Sequence, residues 1–264
     1  MANKPLQGMT ALVTGASSGL GVDFARELAA AGANLILVAR RADLLDKVAK
    51  DISAAHAVKV DYKAVDLADA TARETLAANL AAEGMQIDIL INNAGFGLFG
   101  EFRELEWSRT DQMLQLDVVA LTHLTRLFIN PMVERARGYI MLIGSTGSFQ
   151  PSPGYAAYAA AKAYVLSFGH ALHFELRGTG VSCTTVCPGV TATEFLQVSG
   201  QDKTWYHRAT MMDSATVARL GIKRMLARKP QIVTGLVNAL NAFQTRFMPR
   251  PLMAWVAWWV MRNK

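Results

Sequence analysis

Thr14-Gly15-Ala16-Ser17-Ser18-Gly19-Leu20-Gly21 stands directly after an aliphatic run, Thr10–Thr14, and directly before a helical pattern, Leu20–Ala31. Glycines at this point permit a tight turn and let the backbone approach a pyrophosphate, and the helix start supplies N–H groups and a positive dipole end. A Gly-rich turn in isolation is only a turn; its place between strand and helix makes it a candidate phosphate cradle. Working outward, short β-branched or aliphatic runs alternate with Ala/Leu-rich segments. The candidate strands are Thr10–Thr14, Asn34–Ala39, Val58–Val65, Ile87–Ile91, Tyr139–Ile143 and Val181–Val186, with a seventh near Ile232. Such alternation reads as βαβ units around a parallel sheet. The expected fold is α/β: a doubly wound, seven-stranded parallel sheet with helices on both faces, residues 1–234, followed by a C-terminal helical extension, residues 235–264.

Of the 264 residues, 52% are apolar and 18% charged, which excludes a disordered chain and favours a packed globule. No N-terminal stretch has the basic start, apolar run and small-residue cleavage site of a secretory signal, so a cytoplasmic protein is expected. The two cysteines, Cys183 and Cys187, lie on one strand face, with Cα atoms roughly 13 Å apart at strand rise. That is too far for a disulfide, and two thiols alone make no zinc site, so buried core thiols are expected. The net charge of +6 is unevenly spread. After Asp213 there is no acidic residue, whereas Arg219, Lys223, Arg224, Arg228, Lys229, Arg246, Arg250, Arg262 and Lys264 are all basic. A basic tail on a mildly acidic body suggests an anionic partner surface.

The second strand ends without the acidic residue that would meet a ribose 2′-hydroxyl; Arg40 and Arg41 follow instead. A guanidinium there can pair with a 2′-phosphate, which favours NADP(H). Asp66-Leu67 follow the third strand, and Asn92-Asn93-Ala94-Gly95 the fourth. Tyr158 and Lys162 lie four residues apart near the start of a long helix, on one face. A phenol of pKa about 10 is a poor acid–base catalyst at neutral pH, but a neighbouring ammonium favours its ionised form. The pair can then move a proton to or from a substrate oxygen. Ser145, ending the fifth strand, can hydrogen-bond the same oxygen.

These marks in this order resemble the short-chain dehydrogenase/reductase family, in its compact, NADP-preferring, ketoacyl-reductase-like branch with a Rossmann sheet. The resemblance runs from about Met9 to the seventh strand. It rests on Thr14-Gly15 with Gly19 and Gly21, on Asp66, Asn92-Asn93-Ala94-Gly95, Ser145, Tyr158, Lys162 and Pro188-Gly189. It implies Tyr158 as general acid/base, Ser145 as carbonyl polariser, and Lys162 as the group that lowers the tyrosine pKa and holds the nicotinamide ribose. It further implies Gly15, Ser17, Ser18, Gly19, Leu20 and Gly21 around the pyrophosphate, with Asp66 and Leu67 at the adenine. Asn92, Ala94 and Gly95 belong to the cofactor or the sheet beside it. Pro188, Gly189, Val190, Thr191 and Thr193 border the nicotinamide. One position departs from the pattern: Asp117 stands where the family usually has an asparagine supporting a water relay to the lysine. Aspartate loses the amide's two donors, and its charge offsets the lysine's pull on Tyr158. Slower chemistry or a higher pH optimum is the expected consequence.

The irregular stretch Thr193–Asp213, with Trp205, Tyr206, His207, Met211 and Met212, is placed where ligand lids sit. With Phe96, Leu98, Phe99 and Phe149 it suggests an apolar pocket and a lipophilic carbonyl or alcohol substrate. His207 reads as an exposed loop histidine. No metal site is expected, since His123, His170 and His173 lack ligand-like spacing. In the tail, Leu236, Leu240, Phe243 and Phe247 fall at helical spacing. Pro251 then opens a helix carrying Trp255, Trp258 and Trp259, too short to span a bilayer. That tail could lie on anionic lipid, pack on a sister subunit or cover the pocket. Nucleic-acid binding is not expected, as no reader motif accompanies the charge. The small-residue run Ala156–Ala161 would allow close helix packing in a homo-oligomer, dimer or tetramer. The expected reaction is hydride transfer between NADP(H) and a lipophilic ketone, aldehyde or secondary alcohol. The alternative is a catalytically weak dinucleotide-binding regulator or membrane-surface scaffold.

Overall fold

Seven aliphatic runs become strands β1 (Thr10–Thr14), β2 (Asn34–Ala39), β3 (Val60–Ala64), β4 (Ile89–Asn92), β5 (Gly138–Ile143), β6 (Val181–Cys187) and β7 (Gln231–Val233). Helices α1 (Gly19–Ala30), α2 (Ala42–Ala55), α3 (Ala70–Ala82), α4 (Trp107–Leu114), α5 (Leu121–Glu134), α6 (Ala156–Glu175) and α9 (Ser214–Leu226) connect them. Two short helices, α7 (Phe195–Ser199) and α8 (Trp205–Thr210), precede α9, and α10 (Leu236–Gln244) and α11 (Arg250–Met261) end the chain. The computed structural model describes residues 4–261, apart from the side chains of Tyr206 and Ala209. Arg262 and Lys264, two of the basic tail residues, lie outside the described residues, as does the Tyr206 side chain.

All strands run parallel in the order β3-β2-β1-β4-β5-β6-β7. The central strands are buried on both faces, which is why they read as unbroken aliphatic runs. Alternate residues go to opposite layers. Val13, Leu35, Ile91, Met141 and Val186 pack under Phe24, Leu28, Ile52, Ile222 and Met225 of α1, α2 and α9. Leu12, Ile36, Leu90, Ile140 and Leu142 face Leu76, Leu80, Leu124, Phe128 and Leu172 of α3, α5 and α6. Cys183 joins this second layer, and both cysteines are buried and unpaired. The strand order reverses between β1 and β4, opening a crevice at the carboxyl ends of the strands, where ligands bind in this architecture.

The stretch 193–213 is more ordered than its lack of periodicity suggests, because α7 and α8 are each too short to display a helical repeat. Thr204 caps α8 by accepting from the His207 backbone N–H at 3.4 Å. His207 is fully buried rather than exposed, because it forms part of the cavity wall. The tail folds back on the main body: Asn238, Ala242, Met253 and Ala257 are buried, and Gln201 Nε2 donates to the Met261 carbonyl at 2.7 Å. No helix among the described residues is long and apolar enough to cross a membrane.

Candidate active site

The turn after β1 is held open by its own chemistry. Gly15 has φ +67°, and a Cβ there would lie 2.8 Å from Asn93 Nδ2 and 2.9 Å from Ala94 Cα, so only glycine fits. Thr14 Oγ1 donates to the Ile91 carbonyl and accepts from the Asn93 and Ala94 N–H groups, which ties β1 to β4 at the crevice. Asn93 Nδ2 donates to the Thr14 carbonyl at 2.9 Å. Ser18 stands at the N-cap of α1 without a side-chain cap, so the helix-start donors face the crevice. Arg41 Nη2 donates to the hydroxyls of Ser17 at 3.2 Å and Ser18 at 3.0 Å. Uncapped helix donors, two hydroxyls and a guanidinium therefore converge, a set suited to phosphate oxygens.

A cavity of about 1020 Å³ runs from this turn to the chain's last helix. Gly15, Ser17, Ser18, Gly19, Leu20, Arg40, Arg41, Asp66 and Leu67 line one end. Ala94, Gly95, Ser145, Tyr158, Lys162, Pro188, Gly189, Val190, Thr191 and Thr193 line the middle. The expected residues are thus brought together with three exceptions. Asn92 faces away from the cavity: its Nδ2 donates to Thr125 Oγ1 at 2.9 Å and to the Leu121 carbonyl at 3.3 Å, bracing β4 against α5. Gly21 packs against the Gly15 carbonyl, serving the helix–turn contact rather than a ligand. Asp117 lies beneath the floor. Of the expected apolar lining, Phe96 and Trp205 border the cavity, whereas Leu98, Phe149, Met211 and Met212 do not. Phe99 instead packs tilted against Tyr155 at 5.1 Å between centroids.

Beneath the floor, the backbone leaves regular α-helix for a π-helical turn, Gln115–Ala120, between α4 and α5. Such turns redirect a side chain that regular helix would send elsewhere. Here Asp117 is fully buried, with Oδ1 accepting from the Phe96 N–H at 3.1 Å and Oδ2 at 3.0 Å from Lys162 Nζ. A Cβ at position 95 would sit 2.5 Å from Asp117 Oδ1, so Gly95 makes room for the carboxylate. Burial pushes the Asp117 carboxyl above its usual range, and Lys162 pulls it back. Lys162 Nζ also donates to the Ile143 carbonyl at 3.1 Å and stands 5.6 Å from the Tyr158 ring centroid.

The resemblance implies a lowered tyrosine pKa. The geometry gives the reverse: burial pushes the Tyr158 phenol well above its ordinary value, the Asp117 charge adds to this, and the Ser145 hydroxyl, hydrogen-bonded to the phenol, opposes it. Lys162 is engaged by Asp117 and by a carbonyl, so its pull on Tyr158 is offset. The Cys187 thiol beside this centre is pushed by burial up to about 12, which leaves it unreactive.

Several contributing residues carry no motif. Arg73 is almost fully buried; its Nη1 donates to the Leu67 and Ala68 carbonyls at 2.6 and 3.1 Å, and its Nε to His123 Nδ1 at 3.1 Å. It therefore fixes the loop that carries Asp66. Tyr155 Oη reaches Gln201 Oε1 at 2.8 Å and Ser199 Oγ at 2.9 Å, while Phe195 packs 5.4 Å from the Tyr158 ring. Among the described residues, no cluster of histidine, cysteine, aspartate and glutamate could hold a metal ion.

Comparison with known proteins agrees with this geometry. Residues 9–204 match the family model described as short chain dehydrogenase. The chain is 33% identical over 202 residues to a very-long-chain 3-oxoacyl-CoA reductase of Anas platyrhynchos. It is 32% identical over 259 residues, covering 96% of this chain and 98% of the relative, to sulfoacetaldehyde reductase 2 of Chromohalobacter salexigens. It spans only 64% and 63% of the length of the first two oxoacyl-CoA reductases it matches. A short-chain dehydrogenase from Sphingobium yanoikuyae, solved in complex with NADPH, superposes with TM-score 0.81 at 29% identity over 91% of this chain and 95% of that one. The chain belongs to the short-chain dehydrogenase family.

Proposed function

We propose that the protein reduces a lipophilic ketone or aldehyde at the expense of NADPH, with Tyr158 as the proton donor. The carrying observation is the convergence of Ser145, Tyr158 and Lys162 on one cavity that has a phosphate-suited end and an apolar end. Arg40 and Arg41 favour NADP(H), the guanidinium of Arg41 being already oriented by Ser17 and Ser18. Asp66 and Leu67 would border the adenine, and Val190, Thr191 and Thr193 the nicotinamide. When bound, the reduced nicotinamide supplies a hydride to the carbonyl carbon. Ser145 Oγ–H then polarises the carbonyl oxygen, and Tyr158 transfers its phenolic proton to that oxygen as it gains negative charge. A carbonyl, a hydride and a proton give the alcohol, and Tyr158 recovers its proton from solvent. Lys162 steadies the transient phenolate, and Asp117 sets how strongly it can do so.

The substrate end is bounded by Phe195, Trp205, Met248, Met253, Val256 and Val260, surfaces that favour aliphatic or aromatic bulk. We further propose a homo-oligomer that uses the small, exposed residues Ala156 and Ala160 of α6. Asp117 also favours a second reading, a dinucleotide-binding regulator with weak turnover. A panel of lipophilic ketones, including long-chain acyl substrates, assayed with NADPH and NADH, tests the first reading. Turnover should rise with substrate apolarity and favour NADPH at least tenfold. Tight NADPH binding with no turnover on any member would favour the regulator.

A further inference from the structure

We propose that the outer face of α10 and α11 is a docking surface for an anionic lipid bilayer, and that the substrate cavity opens beneath it. The two helices are apolar on two sides. Their inner sides carry Val237, Met253, Val256, Ala257 and Val260 against the cavity. Their outer sides expose Leu236, Leu240 and Phe243 along α10, Phe247 in the turn after it, and Leu252, Trp255 and Trp259 along α11. Phe247 is 74% exposed and Trp255 60%, an aromatic exposure that marks an interaction surface. On α11 the two sets oppose each other: positions 253, 257 and 260 face inward and positions 252, 255 and 259 outward. Spacings of three and four give these two stripes.

Charge chooses the occupant. Arg246 lies over the Phe243 ring at 5.6 Å and Arg250 opens α11, so cations flank the apolar stripe; no acidic residue follows Asp213. Tryptophan and arginine around an aliphatic stripe are the composition of a helix resting at the headgroup level of anionic lipid. A second copy of the chain is a poorer occupant. A two-fold contact sets a patch against itself, so Arg246 and Arg250 would meet arginines with no acid in the segment to offset them. The cavity side adds a physical link. Gln201, held by Tyr155, donates to the carbonyl of Met261 at the end of α11, so one buried polar chain connects the start of α6 to the lipid-facing helix. A lipophilic substrate dissolved in the bilayer would thus lie against the two helices that wall the cavity. This last clause rests on the lipophilic-substrate reading; the docking itself does not.

The test is flotation of the full chain with phosphatidylcholine vesicles, with and without one-third phosphatidylglycerol, alongside turnover on a small water-soluble ketone. The protein should float with the anionic vesicles, fail to float with phosphatidylcholine alone, and be released by high salt. Arg246→Gln with Arg250→Gln should weaken partitioning about tenfold or more. Trp255→Ser with Trp259→Ser should abolish it, leaving turnover on the soluble ketone unchanged, since these four side chains do not line the cavity. Absence of flotation on anionic vesicles overturns the proposal. So does dissociation of an oligomer by the tryptophan pair without loss of flotation, which would assign the face to a second copy. Loss of ketone turnover in the wild type would count against the enzymatic reading and leave the flotation result standing.

Discussion

Asp117 Oδ2 lies 3.0 Å from Lys162 Nζ, both side chains buried, beside Tyr158, the proposed proton donor. An ion pair so placed neutralises much of the charge that would otherwise draw Tyr158 toward its phenolate. On the proposed mechanism the carboxylate would tune proton transfer from outside the cavity lining.

Replacing Asp117 with asparagine removes the negative charge that raises the Tyr158 pKa, so that pKa should fall. More phenolate at a given pH favours alcohol oxidation, whose pH optimum should move down; a stronger acid favours reduction, whose turnover should rise near neutrality. The amide keeps only one acceptor for the two groups that Asp117 now serves, so a modest stability loss is expected as well. pH–rate profiles in both directions check this, and identical profiles for the two proteins would remove the electrostatic role of Asp117.

Arg41→Ala should weaken NADPH binding by about 10- to 100-fold and leave NADH binding nearly unchanged, because only the former offers a 2′-phosphate. Arg40→Ala should act in the same direction and less strongly, since it is Arg41 that the Ser17 and Ser18 hydroxyls orient. Fluorescence titration with each cofactor measures the ratio. Equal losses for both cofactors would mean that the arginines hold the turn rather than the phosphate.

Burial holds the His207 imidazole below its ordinary pKa. The unfolded lid therefore takes up a proton at a higher pH than the folded one. The stability that neutral His207 lends is complete above the ordinary histidine pKa, about 6.5, and is lost as pH falls below it. Hydrogen exchange across α7 and α8 should accelerate between neutral pH and about pH 5 beyond the intrinsic change, and His207→Gln should abolish the extra acceleration.

Arg73→Met should cost about 2–4 kcal/mol, because it strands the buried Leu67 carbonyl and the half-buried Ala68 carbonyl. Chemical denaturation gives the number. NADPH affinity should fall as well, as the loop bearing Asp66 loses its anchor; a stability loss with unaltered affinity would confine Arg73 to the scaffold.

The parts of this molecule written in local chemistry were legible from its residues. Gly15 and Ser18 mark a turn that only a few residue types can make, and the aliphatic runs of β1, β2 and β4 report burial on both faces. For Asn92, expected at the cofactor or in the sheet beside it, strand parity points to the second: Leu90 and Asn92 alternate onto the α5 side, leaving Asn93 and Ala94 to turn into the crevice. His207 and Arg73 are buried by segments distant in the chain, which no local pattern reports. The π-helical turn that aims Asp117 at Lys162 has no residue signature, and helical spacing in the tail could not say which of its two apolar sides met the cavity.

The central claim is that Tyr158 supplies the proton in an NADPH-dependent carbonyl reduction. The most direct measurement is NADPH oxidation on the best ketone of the panel by wild type and Tyr158→Phe, with NADPH affinity determined for both. The account predicts a fall in kcat of at least about 100-fold with affinity for NADPH preserved. Wild-type turnover in the phenylalanine variant would contradict it.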